Sequence, residues 1–302
     1  MKSLLLSLLL INSLLFSHDY KLQAEEVVSG QTYCFFGHSE VMDEHNNGDI
    51  SNSCFVNMGT SYLVIDSGST FSYAQQAYEK IKKIKNLPIS YLINTHEHDD
   101  HWLGNSYYKT LGVKIIGSSA FEELPFEEQT RMQKNVSKEA YKKTTQVHPT
   151  IFVKDEKILD FNSKKVFIKS VNHKAHSSSD LYIYIPSQKI VFAGDLVFND
   201  RIPSLRDGNI QGWIDALDTI RSLNAEHIVG GHGRMVTKES LNMTYNYLKE
   251  LKKQVSELLD EGVDIADVVN RVTMDRFKTL KLYDSLHRQN VETTYRTLEW
   301  EE

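Results

Sequence analysis

Ile89-Ser90-Tyr91-Leu92-Ile93-Asn94-Thr95-His96-Glu97-His98-Asp99-Asp100-His101 runs from an apolar, β-branched stretch straight into three imidazoles and three carboxylates. The first half reads as a buried strand. Side chains two apart share a face of an extended chain, so His96 and His98 project together from the strand's end. Asp100 and His101 follow after the chain turns, and Trp102 to Leu111 reads as a short helix stopped by Gly112. Soluble chains rarely place potential ligands this densely without holding a metal. Two neighbouring faces each offer ligands, which suits two metal ions better than one. Neutral imidazole nitrogens suit zinc, and carboxylates offset charge and bridge cations.

Working outward, three later segments place a polar residue beside an expected strand. His176-Ser177-Ser178-Ser179-Asp180 precedes Leu181 to Ile185, Ile190 to Ala193 runs into Gly194-Asp195, and Ile228-Val229 runs into Gly230-Gly231-His232-Gly233. Upstream, Tyr62 to Ile65 ends in Asp66-Ser67-Gly68. Taken in order, these segments resemble the metallo-β-lactamase superfamily, whose His-x-His-x-Asp-His signature is followed by ligands at the ends of later strands. The resemblance implies an α/β fold, a four-layer αββα sandwich with the metal cleft along one edge of the packed sheets. It implies that His96, His98 and His176 hold one Zn2+, that Asp100, His101 and His232 hold a second, and that Asp195 bridges the two. A water shared by two divalent cations ionises near neutral pH, so a metal-bridging hydroxide is the expected nucleophile, with Asp100 placed to orient it. Asp66 and Asp180 read equally well as outer partners of ligating histidines or as turn caps. His173 lies near His176, but the small residues and strand that follow the ligand in the family pattern select His176. His18, His38, His45, His148, His227 and His287 read as surface or hydrogen-bonded core residues.

Asp195 stands where the superfamily's true β-lactamases generally carry Cys or Ser, and so resembles the glyoxalase II, phosphodiesterase and related branches. Flavodiiron proteins usually carry Glu at the position of His98, which argues for zinc and hydrolysis. Gly48 to Asn52, Gly194 to Phe198, Arg201 to Ser204 and Asp207 to Trp213 resemble periplasmic zinc hydrolases of sulfur-oxidation and quinoprotein-relay clusters. The expected activity is hydrolysis of an ester or thioester of a small anionic molecule. The alternatives are a metallo-β-lactamase acting on β-lactam amides and a non-catalytic metal-binding partner in a redox pathway.

Residues 1–24 read as a signal peptide. Met1-Lys2 forms a short positive start, and Leu4 to Phe16 is uncharged and too short to span a bilayer comfortably. Cleavage after Ser17 or after Ala24 and retention as an uncleaved anchor all remain open. Secretion, to the periplasm, is the expectation, with no later membrane-spanning segment. Cys34 and Cys54, the two cysteines, fall on adjacent expected strands, Thr32 to Phe36 and Cys54 to Met58, as a disulfide or as buried thiols. The polar loop between them, His38 to Ser53, is placed to cover the cleft. Residues 25–237 form the expected catalytic domain. From Glu239 onward Leu241, Tyr245, Leu248, Leu251, Val255 and Leu258 recur at helical spacing, and 265–272 and 286–298 suggest two more helices. Residues 238–302 are thus a helical extension that braces the sandwich, joins the pocket or forms a dimer surface. The formal charge of −6 argues against nucleic acid and leaves a small-molecule substrate. Arg201 and Arg206 either select an anionic substrate or make surface salt bridges.

Overall fold

The computed structural model describes residues 18–162, 164–178 and 180–301. Of the leader read over residues 1–24, residues 1–17 lie outside them. One sheet has seven strands in sequential order: β1 (Glu25–Val28), β2 (Thr32–Phe35), β3 (Ser53–Asn57), β4 (Tyr62–Ile65), β5 (Ile89–Ile93), β6 (Lys114–Ser118) and β7 (Ile151–Val153). The second has five: β8 (Glu156–Phe161), β9 (Lys164–Ser170), β10 (Leu181–Ile185), β11 (Ile190–Phe198) and β12 (His227–His232), ordered β12-β11-β10-β9-β8. Strands β4 to β7 run parallel, as do β11 and β12. The chain returns between parallel strands through α1 (Phe71–Ile84), α2 (Asp99–Trp102), α3 (Asn105–Thr110), α4 (Arg131–Asn135), α5 (Lys138–Tyr141) and α6 (Ile210–Arg221).

Alternation along the strands builds the layers. In β4, Leu63 and Ile65 face Ile183, Phe192 and Val229 of the other sheet. Tyr62 and Val64 face the opposite way, onto Tyr73, Ala77 and Ile81 of α1. In β11, Val191 and Ala193 turn outward against Trp213 and Leu217 of α6. Period-two alternation with both faces buried is what a sheet between two layers requires, and the result is the expected αββα sandwich. Cys34 and Cys54 sit opposite each other across β2 and β3 and form a disulfide inside the inter-sheet core. Closing a loop of this length stabilises by about 3 kcal/mol.

The C-terminal helices α7 (Leu241–Asp260), α8 (Ile265–Arg271) and α9 (Tyr283–Glu301) pack onto the five-stranded sheet. Tyr247, Leu248 and Leu251 of α7, Val268 of α8 and Val291 of α9 share one cluster with Trp213 and Leu217. The change at Thr237 is therefore one of element type, and the core runs across it. Two details depart from expectation. The helix expected over 102–111 is broken into α2 and α3 at Gly104, where a Cβ would lie 2.2 Å from the Ser67 carbonyl oxygen. On α7 the buried face adds Thr244 and Tyr247 to the expected residues, while Tyr245 packs against it part-buried; the Thr244 hydroxyl bonds both the N–H and the carbonyl of Phe198.

Residues ahead of β1 are part of the fold. Tyr20 and Leu22 are buried with α1 and β4, the Tyr20 N–H donates to Gln76 Oε1 at 3.0 Å, and its hydroxyl meets Thr70 Oγ1 at 2.7 Å. Thr70 in turn caps α1 by accepting from the Tyr73 N–H. Burying the two side chains is worth roughly 3 kcal/mol or more. A chain starting at Glu25 should therefore melt at least ~6 °C below one starting at His18. Equal melting temperatures in a thermal scan would show that this segment contributes nothing.

Candidate metal centre

Parallel strands end on the same side, and here that side is one edge of the sandwich. Strand β5 delivers His96, His98, Asp100 and His101 just beyond its end, β11 carries Asp195, β12 ends in His232, and the loop between β9 and β10 supplies His176. Asp195 is aimed by a slip in register. Phe192 pairs with Val229 and Gly194 with Gly230, but the next pairing is Phe198 with His232. Such irregularities re-aim side chains. Gly231 makes the room, since a Cβ there would overlap Asp195 Oδ1.

The structure brings all seven residues together, and they sort into His96, His98, His176 and Asp195 on one side and Asp100, His101 and His232 on the other. His98 Nδ1 lies 3.1 Å from His96 Nε2 and 2.9 Å from His176 Nε2. Asp195 faces both groups: Oδ2 is 3.4 Å from His176 Nε2 and 3.2 Å from His232 Nε2, and Oδ1 is 3.1 Å from His101 Nε2. Asp100 Oδ2 lies 3.6 Å from His101 Nε2 and 3.5 Å from His232 Nε2. Three imidazole nitrogens converging on one point cannot be satisfied by the single proton each pair can share, whereas a cation satisfies all three lone pairs. Among the described residues, the buried atoms His101 Nε2 and Asp195 Oδ1 have no hydrogen-bond partner of good geometry. The donor set therefore fits divalent metal ions.

The outer ring nitrogens explain why the inner ones are free to ligate. His101 Nδ1 donates to Asp66 Oδ2 at 2.9 Å, His232 Nδ1 to the Ile50 carbonyl at 2.7 Å, and His98 Nε2 to Asp207 Oδ2 at 3.1 Å. His96 Nδ1 meets Thr95 Oγ1 at 3.1 Å, and that hydroxyl passes its own proton to Asp66 Oδ2 at 2.8 Å. Each contact holds a proton on the outer nitrogen and leaves a lone pair facing inward. Asp66 thus orients one histidine from each group, while Asp180 caps the turn after His176 by accepting from the Ser177 N–H at 2.7 Å. The two readings of these aspartates divide between them. Sequence reasoning gave no role to Arg131, Asp207 or the Ile50 carbonyl. Arg131 Nη2 reaches Asp99 Oδ1 and Asp100 Oδ1, each at 2.7 Å, and leaves Asp100 Oδ2 to face the centre.

Burial opposes charge on Asp195, but the imidazoles of His232 and His101 outweigh it and hold the carboxyl well below the usual carboxylate range. At Asp100 burial is likewise outweighed, by His101 and Arg131. Burial pushes His176 down to about 3. At His96 burial and the charge of His101 act together to lower the pKa. Burial opposes charge on His101 as well, but Asp195 and Asp100 outweigh it and raise that imidazole well above its usual range, so His101 would release a proton on taking a metal ion.

A cleft of about 260 Å³ opens over the centre. The loop read as its cover supplies Val41, Met42 and Ile50, and the C-terminal extension supplies Leu282, Leu286 and Gln289. Arg206 is committed to Asp207 at 2.7 Å, whereas Arg201, buried at 7% exposure, makes no ion pair among the described residues.

Replacing Asp66 by Ala would leave the Thr95 N–H, the Thr95 hydroxyl and His101 Nδ1–H without their buried acceptor. Asp66→Ala should cost roughly 2–5 kcal/mol in chemical denaturation and lower the affinity of both metal positions about 10- to 100-fold in a chelator competition. Loss at one position alone would refute the shared anchoring through Thr95.

The comparisons with known proteins agree with this geometry. A linear primary-alkylsulfatase from Pseudomonas sp. (strain ATCC 19151) is 19% identical over 256 residues, covering 70% of this chain and 48% of that protein. The chain thus spans about half of that relative's length. A metallo-beta-lactamase type 2 from Bacillus sp. (strain 170) is 22% identical over 204 residues, covering 66% of this chain and 73% of that protein. A solved metallo-beta-lactamase from Pontibacter korlensis superposes with a TM-score of 0.59 at 19% identity, covering 76% of this chain and 99% of that one. That level of likeness establishes the fold. The model of the metallo-beta-lactamase superfamily matches residues 46–232, a span that runs from the cover loop to the last of the seven site residues, and the chain belongs to that superfamily.

Proposed function

We propose that the protein is a dinuclear zinc hydrolase acting on an ester or thioester of a small anionic molecule. The observation that carries this reading is the meeting of seven buried donor side chains in two groups, with Asp195 facing both. His96, His98 and His176 would hold one ion, Asp100, His101 and His232 the other, and Asp195 would bridge them. When bound, the ions supply Lewis acidity and bring the pKa of a shared water near neutrality.

The chain's own groups do the positioning. Asp66, Thr95, Asp207 and the Ile50 carbonyl hold the outer ring nitrogens of His101, His96, His98 and His232, so those four rings are already oriented for ligation. Arg131 fixes Asp100 with one oxygen outward and one toward the centre. Two carboxylates among seven donors offset only part of the charge of two dications, which leaves the cleft floor attractive to an anionic substrate. A carboxylate at position 195 would add negative charge beside both bound ions, and such a site would suit ester or thioester hydrolysis better than one that must stabilise a departing amide nitrogen. The sulfatase and lactamase names of relatives support hydrolysis as the reaction class.

Export to the periplasm is also part of this proposal, supported by the Leu-rich run over Leu4 to Phe16 and the Cys34 to Cys54 bridge. Because Tyr20 and Leu22 are packed in the core, cleavage after Ser17 is the cut consistent with the fold. An intact Met1 on protein found in the cytoplasm would remove the export reading.

Elemental analysis of the zinc-loaded protein should find about two ions per chain, and His232→Ala should lose one of them preferentially. Activated esters or thioesters should turn over with a higher kcat/KM than β-lactams, and Asp195→Asn should lower the rate at least ~100-fold. A single tightly held ion would remove the dinuclear reading. Preference for β-lactams over every ester and thioester would replace the ester assignment with the lactamase one. Two bound ions with no turnover would favour the non-catalytic partner.

A further inference from the structure

We propose that the cleft is built for an amphiphilic oxyanion, with the Arg201 guanidinium taking the charged headgroup and an apolar wall closed by the C-terminal helices taking the tail. The inference names the substrate class of the site proposed above and rests on that reading for the reaction only.

Three arginines line the cleft, and their partners differ. Arg131 is bound to Asp99 and Asp100, and Arg206 to Asp207. Arg201 is the most enclosed, yet among the described residues its side chain has a long Nε contact to the Ile202 carbonyl, 3.3 Å, and the ring of Phe198 5.2 Å beneath its Cζ, and no ion pair. Phe198 in turn stacks on His232 with ring centroids 5.0 Å apart, so Arg201 stands one aromatic ring away from the metal centre. A guanidinium has five N–H donors in a planar fork. Asp195 and Asp100 act on this charge from beyond ion-pair distance, and enclosing a guanidinium with no carboxylate in contact is unfavourable unless an anion completes the pair.

The position of Arg201 is fixed from behind. It forms a β-bridge with Lys281, the Ile202 N–H donates to the Lys281 carbonyl at 3.1 Å, and Asn290 of α9 clamps the loop. Asn290 Nδ2 donates to the Pro203 carbonyl at 2.8 Å, and its Oδ1 accepts from the Leu205 N–H at 2.9 Å. The same stretch of chain supplies the apolar wall. Leu282 and Leu286 line the cleft together with Val41 and Met42, and Val41 remains 58% exposed. Leu282 holds a φ of 61°, a left-handed conformation that a leucine adopts only when its surroundings impose it. One segment of chain therefore both locks the headgroup arginine and builds the tail wall.

The test uses 1-alkanesulfonates, which carry the headgroup and tail but no cleavable ester, titrated calorimetrically into the zinc-loaded protein. From ethane- to octanesulfonate the Kd should tighten about two- to fourfold per methylene until the wall is filled. Octanesulfonate should bind at least ~10-fold more tightly than the neutral octyl methyl sulfone, and Arg201→Gln should weaken octanesulfonate about 10- to 100-fold while leaving the sulfone unchanged. Leu286→Asn should flatten the chain-length series. Melting temperature and zinc content establish that each variant is intact, and if Arg201→Gln does not fold, the sulfonate and sulfone pair on the unaltered protein decides. A Kd independent of chain length, or equal for sulfonate and sulfone, overturns the proposal. So does an unchanged affinity in Arg201→Gln, which would place the headgroup on the metals. Binding as expected with no hydrolysis of any ester would leave this inference standing and remove the hydrolase reading. Hydrolysis of esters indifferent to charge and tail length would do the reverse.

Discussion

One carboxylate, that of Asp66, sets the internal geometry of the whole edge. It accepts from the Thr95 N–H and hydroxyl and from His101 Nδ1, and through Thr95 it reaches His96. The residue sits in a left-handed conformation with φ of 54°, a position that usually favours glycine or asparagine. Its N–H donates to the Ile93 carbonyl and its own carbonyl accepts from the Ser53 hydroxyl, so neighbouring strands β5 and β3 pin it on both sides. Buried polar groups are tolerable only when they are paired. Here the pairing of the outer nitrogens is complete enough to let the inner ones converge. The sandwich supplies what Asp66 needs: parallel strands that end together and a core that holds their ends still.

The same constraint separates what could be read in the chain from what could not. His96, His98, Asp100 and His101 announce themselves because strand periodicity and ligand spacing are local properties. His176, Asp195 and His232 each adjoin an apolar strand, so their convergence is legible once the strands are placed. The layers, too, are written in the alternation along β4 and β11. Arg131, Asp207 and the Ile50 carbonyl carry no such mark. Each acts across 30 or more residues of sequence, on partners chosen by the packing of loops. The break between α2 and α3 was hidden for a similar reason: Gly104 looks like any helical glycine until the Ser67 carbonyl lies against it. On α7, Thr244 joins the buried face beside a part-buried Tyr245, because a hydroxyl there completes the hydrogen bonding of Phe198, something hydrophobic periodicity cannot register.

Charge is distributed unevenly around the cleft. The acidic excess of the chain as a whole is evened out locally, where Arg131, Arg201 and Arg206 stand against Glu40, Asp100 and Asp195. Two of these arginines are spent on carboxylates that orient donors of the metal centre, Asp100 and His98. Their role is to hold the site in place, which leaves recognition to whatever remains unpaired. Net charge therefore says little about the ligand, and the pairing of individual side chains says more.

The clamp of Asn290 on the loop at 203–205 has a consequence for the order in which the protein acquires its properties. Synthesis runs from the N-terminus, and the last donor of the metal centre, His232, emerges more than fifty residues before Asn290. A nascent chain therefore holds every donor while the wall of the cleft has yet to be made. On the proposed reading, the donors are complete at His232 while Leu282, Leu286 and the clamp that fixes the Arg201 loop come later, so changes confined to the final helices would alter the cleft wall without touching a donor.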